Sequence, residues 1–175
     1  MSTYWNRILR AAKLDSHLYE EVEADPDALT QAMGVVVLAS LAAGIGSAAQ
    51  LGVGGLLMGT ISALAGWYIW ALLIYLIGTR LLPEPQTHST QGELLRTIGF
   101  ASAPGLIRIF GIIKGLTGLL FLVASFWMLA AMVIAVRQAL DYTSTWRAIG
   151  VCLIGWLVQA LFLFAILALT GNLTQ

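Results

Sequence analysis

The chain has 175 residues, 59% of them hydrophobic and only 10% charged, well below the roughly 25% charged residues a soluble domain uses to cover its surface. Nine basic and nine acidic residues cancel to a formal charge of zero and form no basic stripe, which excludes nucleic acid as a partner. A single cysteine, Cys152, excludes an intrachain disulfide, and His17 and His88 lie too far apart in the sequence to suggest a zinc site.

Residues 3–14, TYWNRILRAAKL, place Tyr4, Trp5, Ile8, Leu9 and Ala12 on one helical face and Arg7, Arg10 and Lys13 mostly on the other. This pattern predicts a short helix lying at the membrane surface with Tyr4 and Trp5 at headgroup level. The alternative is a soluble helix packed on the membrane domain. Six acids follow by residue 27: Asp15, Glu20, Glu21, Glu23, Asp25 and Asp27. A basic stretch followed by an acidic one, with the first apolar run beginning only near residue 32, does not read as a cleavable signal. Asp25-Pro26-Asp27 reads as a helix start, with Asp25 capping free amides, Pro26 where its missing amide costs nothing, and Asp27 at the positive end of the helix dipole.

The first span is expected from about Ala32 to Gln50. It has no ionised residue, and small pairs four apart, Ser40/Gly44 and Ala42/Gly46, predict close helix approach and a central position. Residues 51–55, LGVGG, read as a turn. The second span, about Leu56 to Ile77, holds Trp67, Tyr68 and Trp70 in its interior, whereas interfacial aromatics belong at span ends. Trp67 therefore reads as packing, with a pocket wall as the alternative. Residues 78–93 form a polar linker broken by Pro83, Pro85 and Gly92.

The third apolar segment, about Leu94 to Ile113, is interrupted by Pro104-Gly105 and carries Arg108 in its far half. A charge at the bilayer centre costs about 2.5–3.5 kcal/mol on insertion scales. A kinked, short or partly re-entrant helix is expected, with Arg108 near the interface or facing a polar cavity. The fourth span is expected from about Leu116 to Val136 and the fifth from about Ile149 to Leu169. Between them, Arg137 and Asp141 stand four apart, a spacing that allows a pair across one helical turn, and Ser144 or Thr145 can cap the next helix. Gln159 is the strong hydrogen-bonding side chain of the fifth span and is expected to face another helix.

The predicted fold is all-α: a polytopic membrane helix bundle of five transmembrane helices, with residues 1–30 a cytoplasmic or interfacial segment and 31–175 the membrane domain. The charge bias places the N-terminus in the cytoplasm and the C-terminus outside. Segments 1–31, 78–96 and 137–148 then hold seven of the nine basic residues on the inside, with Lys114 outside and Arg108 close to it. A four-span arrangement with a re-entrant third segment would move Arg137 and Arg147 outside, a worse fit.

Two stretches carry a family resemblance. Residues 95–104, LRTIGFASAP, resemble the Yip1 domain family's glycine-tyrosine pair followed by proline, with Phe100 where tyrosine is common. Trp127 to Ala148 is similar to that family's penultimate helix and the short loop into its last helix. The resemblance, over about residues 30–170, implies five spans behind a polar cytoplasmic N-terminal segment, and an irregular third helix maintained by Gly99 and Pro104. The small size and plain N-terminus resemble prokaryotic members, which implies a multi-pass protein of a cytoplasmic or inner membrane. Eukaryotic relatives are linked to Rab GTPase binding, a role not carried over, since the N-terminal segment has no evident GTPase-binding motif.

No HExxH, GxSxG or glycine-rich phosphate loop occurs, and Glu93 and Asp141 are the only acids after Glu84, so an enzyme is not expected and no cofactor is implied. The expected function is partner recruitment or membrane organisation, with membrane lipids, a cytoplasmic or membrane protein, or a second copy of the chain as partners. The alternative is a small-solute transporter or channel, taking an anion on Arg108 and working as an oligomer. Candidate functional residues are Arg108, Pro104, Gly99, Arg137, Asp141 and Gln159.

Overall fold

The computed structural model describes residues 3–47, 52–113 and 115–171. All regular elements in these residues are helical. α1 (Thr3–Ala12) and α2 (Ser16–Ala24) form a hairpin, followed by α3 (Ala28–Gly46) and α4 (Gly52–Leu76), whose end loosens into a π-helical turn at Ile77–Leu81. α5 (Gln91–Phe100) leads into a 3-10 helix (Ala103–Ile112), and α6 (Thr117–Ala139) and α7 (Thr145–Gly171) complete the bundle.

Four helices are long and apolar enough to cross a membrane, within 28–46, 54–81, 117–139 and 145–162. The third predicted span is not a continuous helix. α5 ends at Phe100 because Pro104 has no amide to give to the carbonyl four residues back, and the chain tightens into the 3-10 turn that Gly105 N closes on the Ser102 carbonyl at 2.9 Å. The two pieces nevertheless run the length of α3. A Cβ on Gly99 would meet the Ala32 Cβ at 2.7 Å, one on Gly105 the Ala39 Cβ at 3.3 Å, and one on Gly111 the Gly46 Cα at 3.3 Å. Residue numbers rise together along both elements, so the broken segment is parallel to α3. α4 runs antiparallel to α3, with Gly44 against Leu56 and Ser40 Oγ donating to Thr60 Oγ1 at 3.2 Å. α6 is antiparallel to the broken segment, with Phe121 beside Gly111, Ser125 beside Arg108 and Met128 beside Gly105. α3 is thus the central helix that its small residues predict. The last residues of the first predicted span, 48–50, lie outside the described residues, as do Lys114 and residues 172–175.

The N-terminal hairpin shares a core with the bundle. Ile8, Ala11, Leu18, Tyr19 and Val22 are buried with Ala32, Val35, Phe100 and Ala135. α1 thus packs on the bundle with one flank, while Trp5 and Leu9 remain 50% and 48% exposed on the next. Of the three charges expected on α1's far face, Arg7 and Arg10 are paired within the hairpin. Arg7 Nε meets Glu21 Oε1 and its Nη1 meets Asp25 Oδ2, both at 2.9 Å, and Arg10 Nε meets Asp15 Oδ2 at 2.7 Å. α3 begins two residues later than the sequence suggests. Asp25 does not cap it; its Oδ1 accepts from Asp27 N at 3.0 Å in a turn just before the helix.

Apart from Arg108 and the charges of the α1–α2 hairpin, the described charges lie at the end of the bundle where α3 and α7 begin and α4 and α6 end. There Glu84, 9% exposed, ties the 78–93 linker to the α6–α7 loop. Its Oε2 accepts from Thr143 N and Oγ1 at 3.0 and 2.8 Å, and its Oε1 pairs with Arg147 Nε at 3.2 Å. The linker is therefore clamped rather than a loose connector.

Candidate functional site

A cavity of about 500 Å³ opens between α3, α4, the broken segment and α6, with α7 at its mouth. It exists because α4 and α6 do not close over α3 along its length. The α4 wall there is Gly59, Ala63 and Gly66, which offer at most a single methyl group to fill the space. Gly59 and Gly66 have no atom within 4 Å of where a Cβ would stand, so helix packing does not require them. Gly44 and Gly46, by contrast, sit hard against Leu56 and the Arg108 backbone.

The cavity joins two residues the sequence singles out, Arg108 and Gln159. Arg108 sits in the 3-10 helix and points at α6, where its Nη2 donates to Ser125 Oγ at 3.1 Å and its Cζ lies 5.3 Å from the Phe121 ring centre. Its Nε is buried without a partner. Among the described residues no carboxylate lies within ion-pair distance of it. Gln159, exposed on α7, faces the cavity mouth rather than bonding another helix. Ser40, Ser47 and Ser102 also line the cavity, and the first two already donate to backbone carbonyls of α3.

Trp70 and Trp67 close the other end. Trp67 Nε1 donates to the Leu95 carbonyl at 3.0 Å, so it is both a packing residue and a pocket wall. Trp70 Nε1 is buried with no partner. Its role is not legible from sequence, since an indole inside an apolar run looks like any other core residue. Gly99 and Pro104 line no part of the cavity. They shape the break, and through it the placement of Arg108.

Arg137 and Asp141 lie elsewhere, at the charged end, and do not pair. Asp141 has left the helix with φ 52°, in a closing motif where Tyr142 N reaches back to the Arg137 carbonyl and Asp141 N to that of Gln138. Its side chain therefore cannot take the four-apart position. Arg137 instead caps the following loop, donating to the Tyr142 and Thr143 carbonyls at 3.2 and 3.3 Å and to Thr145 Oγ1 at 3.1 Å. Both residues read as structural here.

Sequence reasoning also missed Glu23. Burial pushes its carboxyl up to about 7, with Asp141, Glu93 and Glu20 adding to the rise and Arg96 opposing it. Arg96 itself holds α2 to α5 by donating to the Val22 and Glu23 carbonyls. Nothing in the spacing of these residues announces their meeting. Among the described residues no group of His, Cys, Asp and Glu could hold a metal ion.

No curated protein and no solved structure matches the chain. The model of the Yip1 domain matches residues 16–167, from the start of α2 through most of α7, and so takes in the whole cavity. A multi-pass helical membrane protein with that match over most of its length, the chain belongs to the Yip1 domain family.

Proposed function

We propose that the protein is a non-catalytic membrane organiser that crosses a prokaryotic cytoplasmic or inner membrane five times, with its N-terminus in the cytoplasm and its C-terminus outside. The third crossing is the broken segment, which runs parallel to α3 past the same positions. At about 1.5 Å per α residue and 2.0 Å per 3-10 residue, α5 and the 3-10 helix together reach roughly 35 Å, enough for the hydrocarbon core. Gathering the charges at one end supports the cytoplasmic assignment of that end.

The observation that carries the organising role is α1. Its apolar arc is divided: Ile8 and Ala11 pack inward, while Trp5 and Leu9 face out beside Lys13. Trp127 of α6 donates to the Ala12 carbonyl at 2.8 Å and so ties the end of α1 to the bundle. With that flank free, α1 offers Trp5 and Leu9 to the membrane at the edge of the bundle. Recruitment of a protein partner by the N-terminal charges has less support, because Arg7 and Arg10 are engaged within the hairpin.

The test is a nitroxide at Leu9→Cys in a Cys152→Ser background, in liposomes. Leu9→Cys is expected to collide with dissolved oxygen far more than with an aqueous nickel complex. His17→Cys, at a side chain 83% exposed on α2, should show the reverse. Equal access of the nickel complex to both sites would sink the interfacial reading.

Passage of a small anion is the second reading, favoured by the cavity that brings Arg108 and Gln159 together. It requires chloride or phosphate flux into protein-loaded liposomes that Arg108→Gln abolishes.

A further inference from the structure

The cavity is long rather than round. Since Ser40 meets Thr60 and Gly44 meets Leu56 across antiparallel helices, Trp67 and Trp70 of α4 stand level with the start of α3. Arg108, whose backbone abuts Gly46, stands level with its end. The two levels are about four helical turns apart, or roughly 20 Å at the rise of an α-helix. Between them the wall is mostly apolar, formed by Ala39, Ala43, Gly59, Ala63, Gly66 and Met128, with the hydroxyls of Ser40 and Ser102 interspersed. At one end alone stands an ionised group, Arg108, with a buried Nε that has no partner. A cation with no counter-ion among the described residues, at the end of a slot lined by small apolar residues, suits an oxyanion that carries a chain. Charge complementarity selects the head, and the open space over Gly59 and Gly66 selects the tail.

We propose that this groove holds one anionic membrane lipid, its phosphate or carboxylate on Arg108 and an acyl chain along the Gly59–Gly66 face of α4. Arg108 keeps its bond to Ser125 Oγ and offers its remaining guanidinium donors to the head. A charged residue at a depth where it would otherwise face lipid is then neutralised by a ligand of the membrane itself. The inference stands apart from the interfacial role of α1, since the two use different residues.

The full-length protein would be reconstituted in vesicles of equal parts phosphatidylglycerol and phosphatidylcholine with identical chains, then released and weighed by native mass spectrometry. Bound lipid should be enriched in phosphatidylglycerol by about tenfold, the size of one charge-assisted hydrogen bond. Arg108→Gln should still carry lipid but without headgroup preference. Gly59→Leu and Gly66→Leu, which extend into open space, should each lose the bound lipid while keeping the wild-type helical circular dichroism. Equal retention of the two lipids by the wild-type protein would overturn the proposal, and needs no variant. So would undiminished lipid in a folded leucine variant, or release of the lipid by millimolar inorganic phosphate, which would make the site one for a free anion.

Discussion

Outside the spans, burial changes the acid–base chemistry of Glu23. Its carboxyl, ordinarily near 4.5, is lifted to about 7, first by burial and then by Asp141, Glu93 and Glu20, against the pull of Arg96. A carboxyl that holds its proton more tightly when folded favours the folded state while it is neutral. That contribution is fully present below about pH 4.5 and is lost as pH rises through about 7. Asp15, Glu21 and Asp25 act in the opposite sense. Arg10 holds Asp15 and Glu21 below their ordinary values and Arg7 does so for Asp25, so their contribution is present at neutral pH and lost in acid. Comparing the wild-type protein with Glu23→Gln separates the two, because the second set is common to both. Melting temperatures in detergent should diverge as pH rises from 4.5 to about 7, with the wild type losing ground to the variant. Parallel curves would show that Glu23 titrates normally.

At the scale of elements, glycines that look alike in sequence do opposite things. Gly99 lets α5 touch α3, since a Cβ there would lie 2.7 Å from the Ala32 Cβ and 3.2 Å from its backbone, neither of which can rotate away. Gly99→Ala should lower stability by about 1–3 kcal/mol, the usual cost of overpacking. Gly66, on α4, faces the cavity with nothing to meet, so Gly66→Ala should raise stability by roughly 0.5–1 kcal/mol through reduced chain entropy. Unfolding in detergent by denaturant would show the two signs, and a loss at Gly66 would mean that the cavity is closed in solution. The sequence made Gly99 legible because a proline followed it in a recognisable run. It left Gly59 and Gly66 silent, because whether a helix face packs or gapes depends on where its neighbours lie. The Arg137–Asp141 spacing misled for a related reason: four apart means adjacent only while the chain stays helical, and Asp141 has already left the helix. The Thr90–Glu93 capping box that starts α5 was readable, and would have placed that start at Gln91 rather than within the apolar run.

For the whole molecule, periodicity and hydropathy located the apolar segments, and charge bias supplied an orientation, but continuity was beyond them. A twenty-residue apolar stretch around Pro104-Gly105 reads much the same whether it crosses as two joined pieces or turns back. In the structure the pieces follow α3 from Ala32 to Gly46 without reversing, which supports the proposed crossing. If the broken segment crosses, the start of α6 and the α6–α7 loop lie on the outer and cytoplasmic sides respectively; if it turns back, both exchange sides. Single cysteines in a Cys152→Ser background settle this with a membrane-impermeant maleimide on intact cells. Gly118→Cys, at an exposed position with no atom near its would-be Cβ, should label at once. Ser89→Cys in the linker and Thr143→Cys in the loop should label only after permeabilisation. Labelling of Thr143→Cys but not Gly118→Cys from outside would replace five crossings with four. It would also carry the Glu84–Thr143 clamp with it, because residues hydrogen-bonded at 2.8 Å cannot stand on opposite sides of a membrane. The clamp holds the linker and the loop together, and in a chain whose α4 and α6 both end there, that supports the odd number of crossings proposed from α3 to α7.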